Sequence, residues 1–148
     1  MSNLDRRTFV HHAATAIGAT PIAAMLAGCA GIAARAVPVT NNSVRLALSQ
    51  NPELTTPGGF LKIAPEGHDD PILVLVLQGG DFAALSPICT HRGCTVGIEG
   101  TLVVCPCHGS TYNREGRVLK GPAQRPLSRY AHRVTADGEL VIDLGSAS

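Results

Sequence analysis

Tryptophan is absent from this 148-residue chain, and phenylalanine and tyrosine number three and two. No stripe of lysine and arginine with interleaved aromatics is present, and the formal net charge is only +1, so nothing points to nucleic acid as a partner. From Val37 onward no segment keeps a helical apolar period over three turns, which argues against a helical bundle. Internal repeats and low-complexity tracts are also missing from this part. What the chain has in quantity is glycine (16) and proline (10), a composition that favours many short strands and tight turns. A domain of about 110 residues buries a workable core with a modest margin, so a cross-link or metal centre would matter to its stability.

The first 36 residues read as an address. Arg6-Arg7, with Phe9 two places on, precedes the mildly apolar run Ala13 to Ala27, and a basic stretch before a short apolar one is the pattern of an export signal. The adjacent arginines resemble a twin-arginine signal, a route for folded proteins that suits a cofactor inserted before export. Leu26-Ala27-Gly28-Cys29 looks like a lipobox, which would make Cys29 the lipidated first residue of a bacterial lipoprotein. Ala34-Arg35-Ala36 offers a competing small-x-small cleavage site, and residues 9–34 offer a retained, weakly hydrophobic membrane anchor. All three alternatives predict a domain on the periplasmic side of a bacterial membrane, where a disulfide can persist.

Residues 37–148 read as one all-β domain. Val44–Leu48 and Gly59–Ile63 are short candidate strands, and Ile72–Leu77 is an uninterrupted apolar run expected to be buried on both faces. Gly79-Gly80-Asp81 supplies a turn into Phe82–Leu85, and Leu102–Val104 leads straight into Cys105. Arg129–Thr135 and Glu139–Leu144 flank Ala136-Asp137-Gly138, a strong hairpin signal. The expected architecture is a small antiparallel β-sandwich or barrel, with a loop-rich subdomain inserted at about residues 87–126.

Cysteine usage carries the chemistry. Of five cysteines, Cys89, Cys94, Cys105 and Cys107 fall within nineteen residues, a crowding that means disulfide, metal or both. They form two boxes, Cys89-Thr90-His91-Arg92-Gly93-Cys94 and Cys105-Pro106-Cys107-His108-Gly109-Ser110. Each supplies one Cys and one His at loop spacing plus one further Cys, and two thiolates with two imidazoles suit iron or zinc. A Cys₂His₂ zinc site usually spaces its first pair by about two to four residues, whereas Cys89 and His91 are separated by one. Zinc would also leave Cys94 and Cys107 without a role. Haem attachment and thioredoxin motifs both need Cys-x-x-Cys, which Cys105-Pro106-Cys107-His108 lacks.

The boxes resemble those of the Rieske iron–sulfur family, closely over residues 89–112 and loosely over 79–144. The resemblance implies one [2Fe–2S] cluster, with Cys89 and Cys105 on one iron and His91 and His108 on the other. It further implies that Cys94 and Cys107 pair as the disulfide of the high-potential branch. Ser110 and Tyr112 then match the hydroxyls that donate hydrogen bonds to a bridging sulfide and a cysteine sulfur. Gly121-Pro122-Ala123 matches the proline loop covering the cluster on a third side. Two neutral imidazoles in place of two thiolates make the centre less negative, so adding an electron costs less. Two departures stand out: only thirteen residues separate His91 from Cys105, and position 92 is Arg where quinol-oxidising members have Leu.

The implied function is one-electron transfer outside the cytoplasm, as a shuttle or as an electron-transfer subunit working with redox protein partners. The alternatives are a Rieske subunit of a quinol–cytochrome c oxidoreductase or of a periplasmic molybdenum oxidase, and, more distantly, a Rieske ferredoxin. A chain of this size leaves no room for the catalytic iron domain of a ring-hydroxylating oxygenase, so it is not expected to be an enzyme by itself. Between residues 89 and 129, six basic residues face two acidic ones, an excess of four positive charges that favours an acidic docking partner.

Overall fold

A computed structural model describes residues 32–145 and 147–148. Its first six strands are β1 (Arg35–Val37), β2 (Val39–Thr40), β3 (Ser43–Ala47), β4 (Phe60–Pro65), β5 (Ile72–Val76) and β6 (Phe82–Leu85). Then come β7 (Gly97–Glu99), β8 (Leu102–Val104), β9 (Thr111–Tyr112) and β10 (Val118–Lys120). β11 (Arg129–Tyr130), β12 (His132–Val134) and β13 (Glu139–Asp143) close the chain. Helix is confined to two 3₁₀ turns, Leu48–Gln50 and Pro52–Leu54, among the described residues. None of the described helices is long and apolar enough to cross a membrane.

Three sheets result. A five-stranded sheet runs β1-β4-β5-β6-β11, a four-stranded sheet runs β12-β13-β3-β2, and the cluster boxes sit on a third, ordered β10-β9-β8-β7. Strand alternation explains how they layer. Ile72, Val74 and Val76 of β5, with Phe82 and Ala84 of β6, enter a core shared with Val44, Leu46, Leu140 and Ile142 of β3 and β13. Leu73 and Leu75, with Ala83 and Leu85, point the other way and pack with Val96, Val103, Cys105 and Tyr112. The five-stranded sheet is therefore the central layer, and the apolar run from Ile72 is buried on both faces as expected. The chain leaves this layer at Ser86 and returns at Ser128, where the Ser86 N–H donates to the Ser128 carbonyl at 2.8 Å.

Two features differ from the sequence reading. Arg129–Thr135 is not one strand: β11 pairs with β6 in the central sheet, while β12 pairs with β13 in another. Both edges of an extended segment carry hydrogen-bonding groups, and nothing local determines which neighbour takes them. In addition, Arg35 and Ala36, read as the end of the leader, belong to β1, which pairs in parallel with β4. Arg35 is held there by Asn51 Oδ1 at 2.6 Å and by Glu53 Oε1 at 2.6 Å. Cleavage after Ala36 would cut through this strand.

Gly59 sits directly against the turn at Glu53 and Thr56. A Cβ at this position would lie 1.9 Å from the Glu53 carbonyl oxygen. The Gly59 carbonyl itself accepts from the Val76 N–H at 2.9 Å and from Arg114 Nη1 at 3.1 Å, tying the third sheet's loop to the central one. Gly59→Ala should therefore cost about 1–3 kcal/mol, the usual range for a forced backbone shift. Thermal denaturation followed by circular dichroism would measure the cost, and an unchanged melting temperature would show that the backbone gives freely.

Candidate functional site

The two boxes fold into loops built on one pattern. In the first, the Cys89 N–H donates to the Cys94 carbonyl at 2.8 Å and the Gly93 N–H to the Cys89 carbonyl at 2.9 Å. In the second, the Cys105 N–H donates to the Ser110 carbonyl at 2.8 Å and the Gly109 N–H to the Cys105 carbonyl at 3.0 Å. Each glycine stands four residues after its leading cysteine, in left-handed conformation, with φ of 77° at Gly93 and 74° at Gly109. A side chain there would strain the turn that closes each loop. The loops thus hold their leading cysteines at matching positions, and β7, β8 and β9 bring them face to face.

Cys89 and Cys105 are buried free thiols, each about 1% exposed. Their surroundings separate them. Burial pushes the Cys89 thiol up, but hydrogen bonds from the Tyr112 hydroxyl and the His91 N–H outweigh it and hold Cys89 below the ordinary range. Burial holds Cys105 above it, and the facing Cys89 sulfur adds to that against the Cys107 N–H. The His91 and His108 rings meet edge to face with centroids 4.8 Å apart. His91 Nδ1 is buried without a hydrogen-bond partner, an orphaned acceptor that a bound metal would satisfy. The His108 side of the site is open to solvent.

Cys94 and Cys107 form a disulfide, with Cα atoms 6.5 Å apart, that ties the two loops together. The sulfurs of Cys94, Cys105 and Cys107 lie within 4.8 Å of one another, but two of them are spent on the disulfide. The donor set left is Cys89, Cys105, His91 and His108, two cysteine sulfurs and two imidazoles supplied by the two joined loops, and its chemistry fits a [2Fe–2S] cluster.

Ser110 and Tyr112 are completely buried beside Cys89. The Tyr112 hydroxyl lies 3.3 Å from Cys89 Sγ and accepts from the Thr90 N–H at 3.3 Å. Ser110 Oγ accepts from the Ala123 N–H at 3.0 Å, which docks the Gly121–Ala123 loop against the site. Thr90 is a residue that the sequence reading passed over. Its hydroxyl donates to the Arg125 carbonyl at 2.7 Å and lies 3.2 Å from the Tyr112 oxygen, joining the first box to the proline loop. Its only local signal was its position between Cys89 and His91. Arg114, one of the six basic residues counted between residues 89 and 129, instead bridges the Gly59 carbonyl and the Gly100 carbonyl (3.3 Å), and burial lowers its pKa. Cys29 lies outside the described residues.

The sequence profile of the Rieske [2Fe-2S] domain matches residues 46–131, more than half of the chain. The chain belongs to the Rieske family. Family members carry one [2Fe–2S] cluster and transfer electrons through it, and this chain is a Rieske electron-transfer protein. It is 36% identical over 99 residues to the cytochrome b6-f complex iron-sulfur subunit of Chlorobaculum tepidum, covering 66% of this chain and 53% of that one. To the subunit of the same name from Chlorobaculum thiosulfatiphilum it is 28% identical over 141 residues, covering 94% and 76%. Among solved structures, it resembles the cyanobacterial plasma membrane Rieske protein of Synechocystis, with TM-score 0.52 and 32% identity over 66% of this chain and 93% of that one. It also shares its fold with the complex of oxygenase and ferredoxin in carbazole 1,9a-dioxygenase, with TM-score 0.56 at 24% identity over 71% of this chain and 95% of the matched one.

Proposed function

We propose that this Rieske protein is a one-electron carrier on the periplasmic side of a bacterial membrane, with Cys89, His91, Cys105 and His108 as the ligands of its cluster. The observation that carries the reading is the convergence of two buried thiols and two imidazoles between loops joined by a disulfide. When bound, the [2Fe–2S] cluster supplies a one-electron couple. Cys89 and Cys105 anchor it from the buried side, and His91 and His108 hold it toward the surface. Tyr112 and Ser110 place hydroxyls beside Cys89 and favour added negative charge there. The exposed His108 loop leaves a short path for an electron to leave, and Leu73, Leu75 and Leu85 of the central sheet pack behind the cysteines and keep water from that side. A disulfide beside the centre is consistent with an oxidising compartment.

Metal analysis tests this directly. The purified holoprotein should hold about two irons and two labile sulfides per chain, and its reduced form should give a rhombic EPR signal of low average g. Stoichiometric zinc without visible absorption would overturn the assignment.

Arg6-Arg7 and Cys29 support the location but fall outside the described residues, so the leader needs its own measurement. Mass spectrometry of the membrane form should find a mature chain that begins at acylated Cys29, and Cys29→Ser should abolish lipid labelling. An intact Arg6-Arg7 in the membrane-bound protein would establish the uncleaved anchor instead.

A second reading, as the Rieske subunit of a quinol–cytochrome c oxidoreductase, rests on the cytochrome b6-f relatives. Arg92, exposed at the tip beside His91, disfavours it, because an apolar quinol pocket would have to bury a guanidinium. Purification from the native membrane with identification of co-purifying subunits separates the two.

A further inference from the structure

The charges of the described residues are segregated along the molecule. In the base, residues 32–85 and 129–148, eight carboxylates face five cations: Glu53, Glu66, Asp69, Asp70, Asp81, Asp137, Glu139 and Asp143 against Arg35, Arg45, Lys62, Arg129 and Arg133. In the cluster-bearing part, residues 86–128, five cations face two carboxylates. The two parts thus carry an excess of three negative and three positive charges, and together they cancel.

Position within the cluster-bearing half sharpens the contrast. Glu115 is paired with Arg117 at 3.5 Å. Glu99 sits at the β7–β8 turn, whose Gly100 carbonyl is held by the same Arg114 that grips Gly59 of the base, so this carboxylate lies at the end remote from the boxes. Arg92, Lys120 and Arg125 remain, all exposed and with no ion pair among the described residues. Arg92 adjoins His91, Arg125 is joined to the first box through Thr90, and Lys120 leads into the Gly121–Ala123 loop. All three thus lie on segments that border the histidine-bearing loops, as a basic rim, and Leu119, which precedes Lys120 in β10, is 59% exposed.

Building on the electron-carrier reading, we propose that this rim docks an acidic surface surrounding the redox centre of a partner protein, and that the charge asymmetry turns the carrier histidine-face first as the two meet. An acidic base and a basic tip make a dipole along the line from core to histidines, so a negative partner field orients the molecule before contact. The three cations stand where an electron must leave, which favours a redox protein over a lipid surface. Rim charges of this kind act chiefly on the association rate and its salt dependence.

Horse-heart cytochrome c, natively basic and made acidic by succinylation, serves as a pair of test acceptors. Stopped-flow oxidation of the reduced, cluster-loaded full chain by the succinylated form should slow about tenfold between low and physiological ionic strength. Oxidation by the native form should be slower at low salt and rise with added salt. Arg92→Glu with Arg125→Glu should invert this preference, the paired glutamines should fall between, and Arg133→Glu in the base should not reduce the rate with the succinylated form. Calorimetric titration of the oxidised protein with oxidised succinylated cytochrome should show binding that the double glutamate variant loses. Electron transfer to both forms with the same salt dependence would overturn the docking surface while leaving the carrier intact. Failure to reduce either form would overturn both. Tight binding to anionic phospholipid vesicles, with none to the succinylated cytochrome, would reassign the rim to a membrane and overturn the proposal.

Discussion

With Cys94 and Cys107 both replaced by alanine, the protein should still assemble its cluster when fresh, but melt earlier and lose iron far faster on warming. The bond closes a loop with a sequence separation of 13 residues, for which chain entropy gives about 3 kcal/mol. For a domain of this size that corresponds to a melting temperature lower by roughly 10–20 °C. Packing contributes little to the expectation, because Cys107 is exposed and Cys94 half-buried, so truncating them leaves no sealed cavity. Each box also keeps its own pair of backbone hydrogen bonds, from Cys89 and Gly93 in one and from Cys105 and Gly109 in the other. What the variant loses is the bond between the loops, and with it the fixed spacing of the two imidazoles. Visible absorbance during a temperature ramp, beside circular dichroism, measures both losses. Equal melting and equal iron retention would show that the sheet alone holds the loops in place. Thiol titration of the unfolded, unreduced wild type supplies the complement: two free cysteines besides Cys89 and Cys105 would remove the disulfide's support for an oxidising compartment.

Tyr112→Phe and Ser110→Ala should each lower the midpoint potential by about 30–60 mV with the cluster retained, or roughly 0.7–1.4 kcal/mol for one electron. Proton accounting supports the direction. The Thr90 hydroxyl hydrogen is committed to the Arg125 carbonyl at 2.7 Å, and the Tyr112 oxygen already accepts from the Thr90 N–H. The one Tyr112 hydroxyl hydrogen is then shared between Thr90 Oγ1 at 3.2 Å and Cys89 Sγ at 3.3 Å, and a thiolate is the stronger acceptor. Ser110 Oγ is occupied as an acceptor by the Ala123 N–H, so its own hydrogen is free for the Cys89 side. Donors at a ligand sulfur stabilise the reduced state, which carries the additional electron, and their loss favours the oxidised one. The two substitutions differ in their side effects. Ser110→Ala strands the buried Ala123 N–H and frees the proline loop, so it should also cost about 1–3 kcal/mol of stability. Tyr112→Phe keeps the ring in the core beside Leu73 and Val103 and leaves only the Thr90 N–H unpaired. Protein-film voltammetry of both variants decides the matter, and unchanged potentials in both would show that neither hydroxyl acts on the centre.

The cluster chemistry was legible in the sequence because it is local. The boxes are contiguous, their spacing sets which donors share a loop, and Gly93 and Gly109 fall where each loop must turn left-handed. The doubly buried strand from Ile72 and the hairpin at Ala136–Gly138 were legible for the same reason, since period and turn chemistry are carried by neighbouring residues. Tertiary structure decided whatever depends on which distant segment supplies a partner. It divided Arg129–Thr135 between two sheets, and it drew Arg35–Val37 into parallel pairing with β4. Thr90 became the link between Tyr112 and the proline loop only through contacts spanning 22 and 35 residues. Charge followed the same rule. The excess of cations between residues 89 and 129 is visible in the one-dimensional chain, but its concentration around the histidines required the fold. Glu99 lies at the base end because Arg114 holds its turn there, while Arg92 and Arg125 lie at the tip because the boxes and the proline loop converge. Backbone geometry and residue chemistry act over a few residues and can be read in order, whereas packing and electrostatic fields act through space and exist only once the chain has folded.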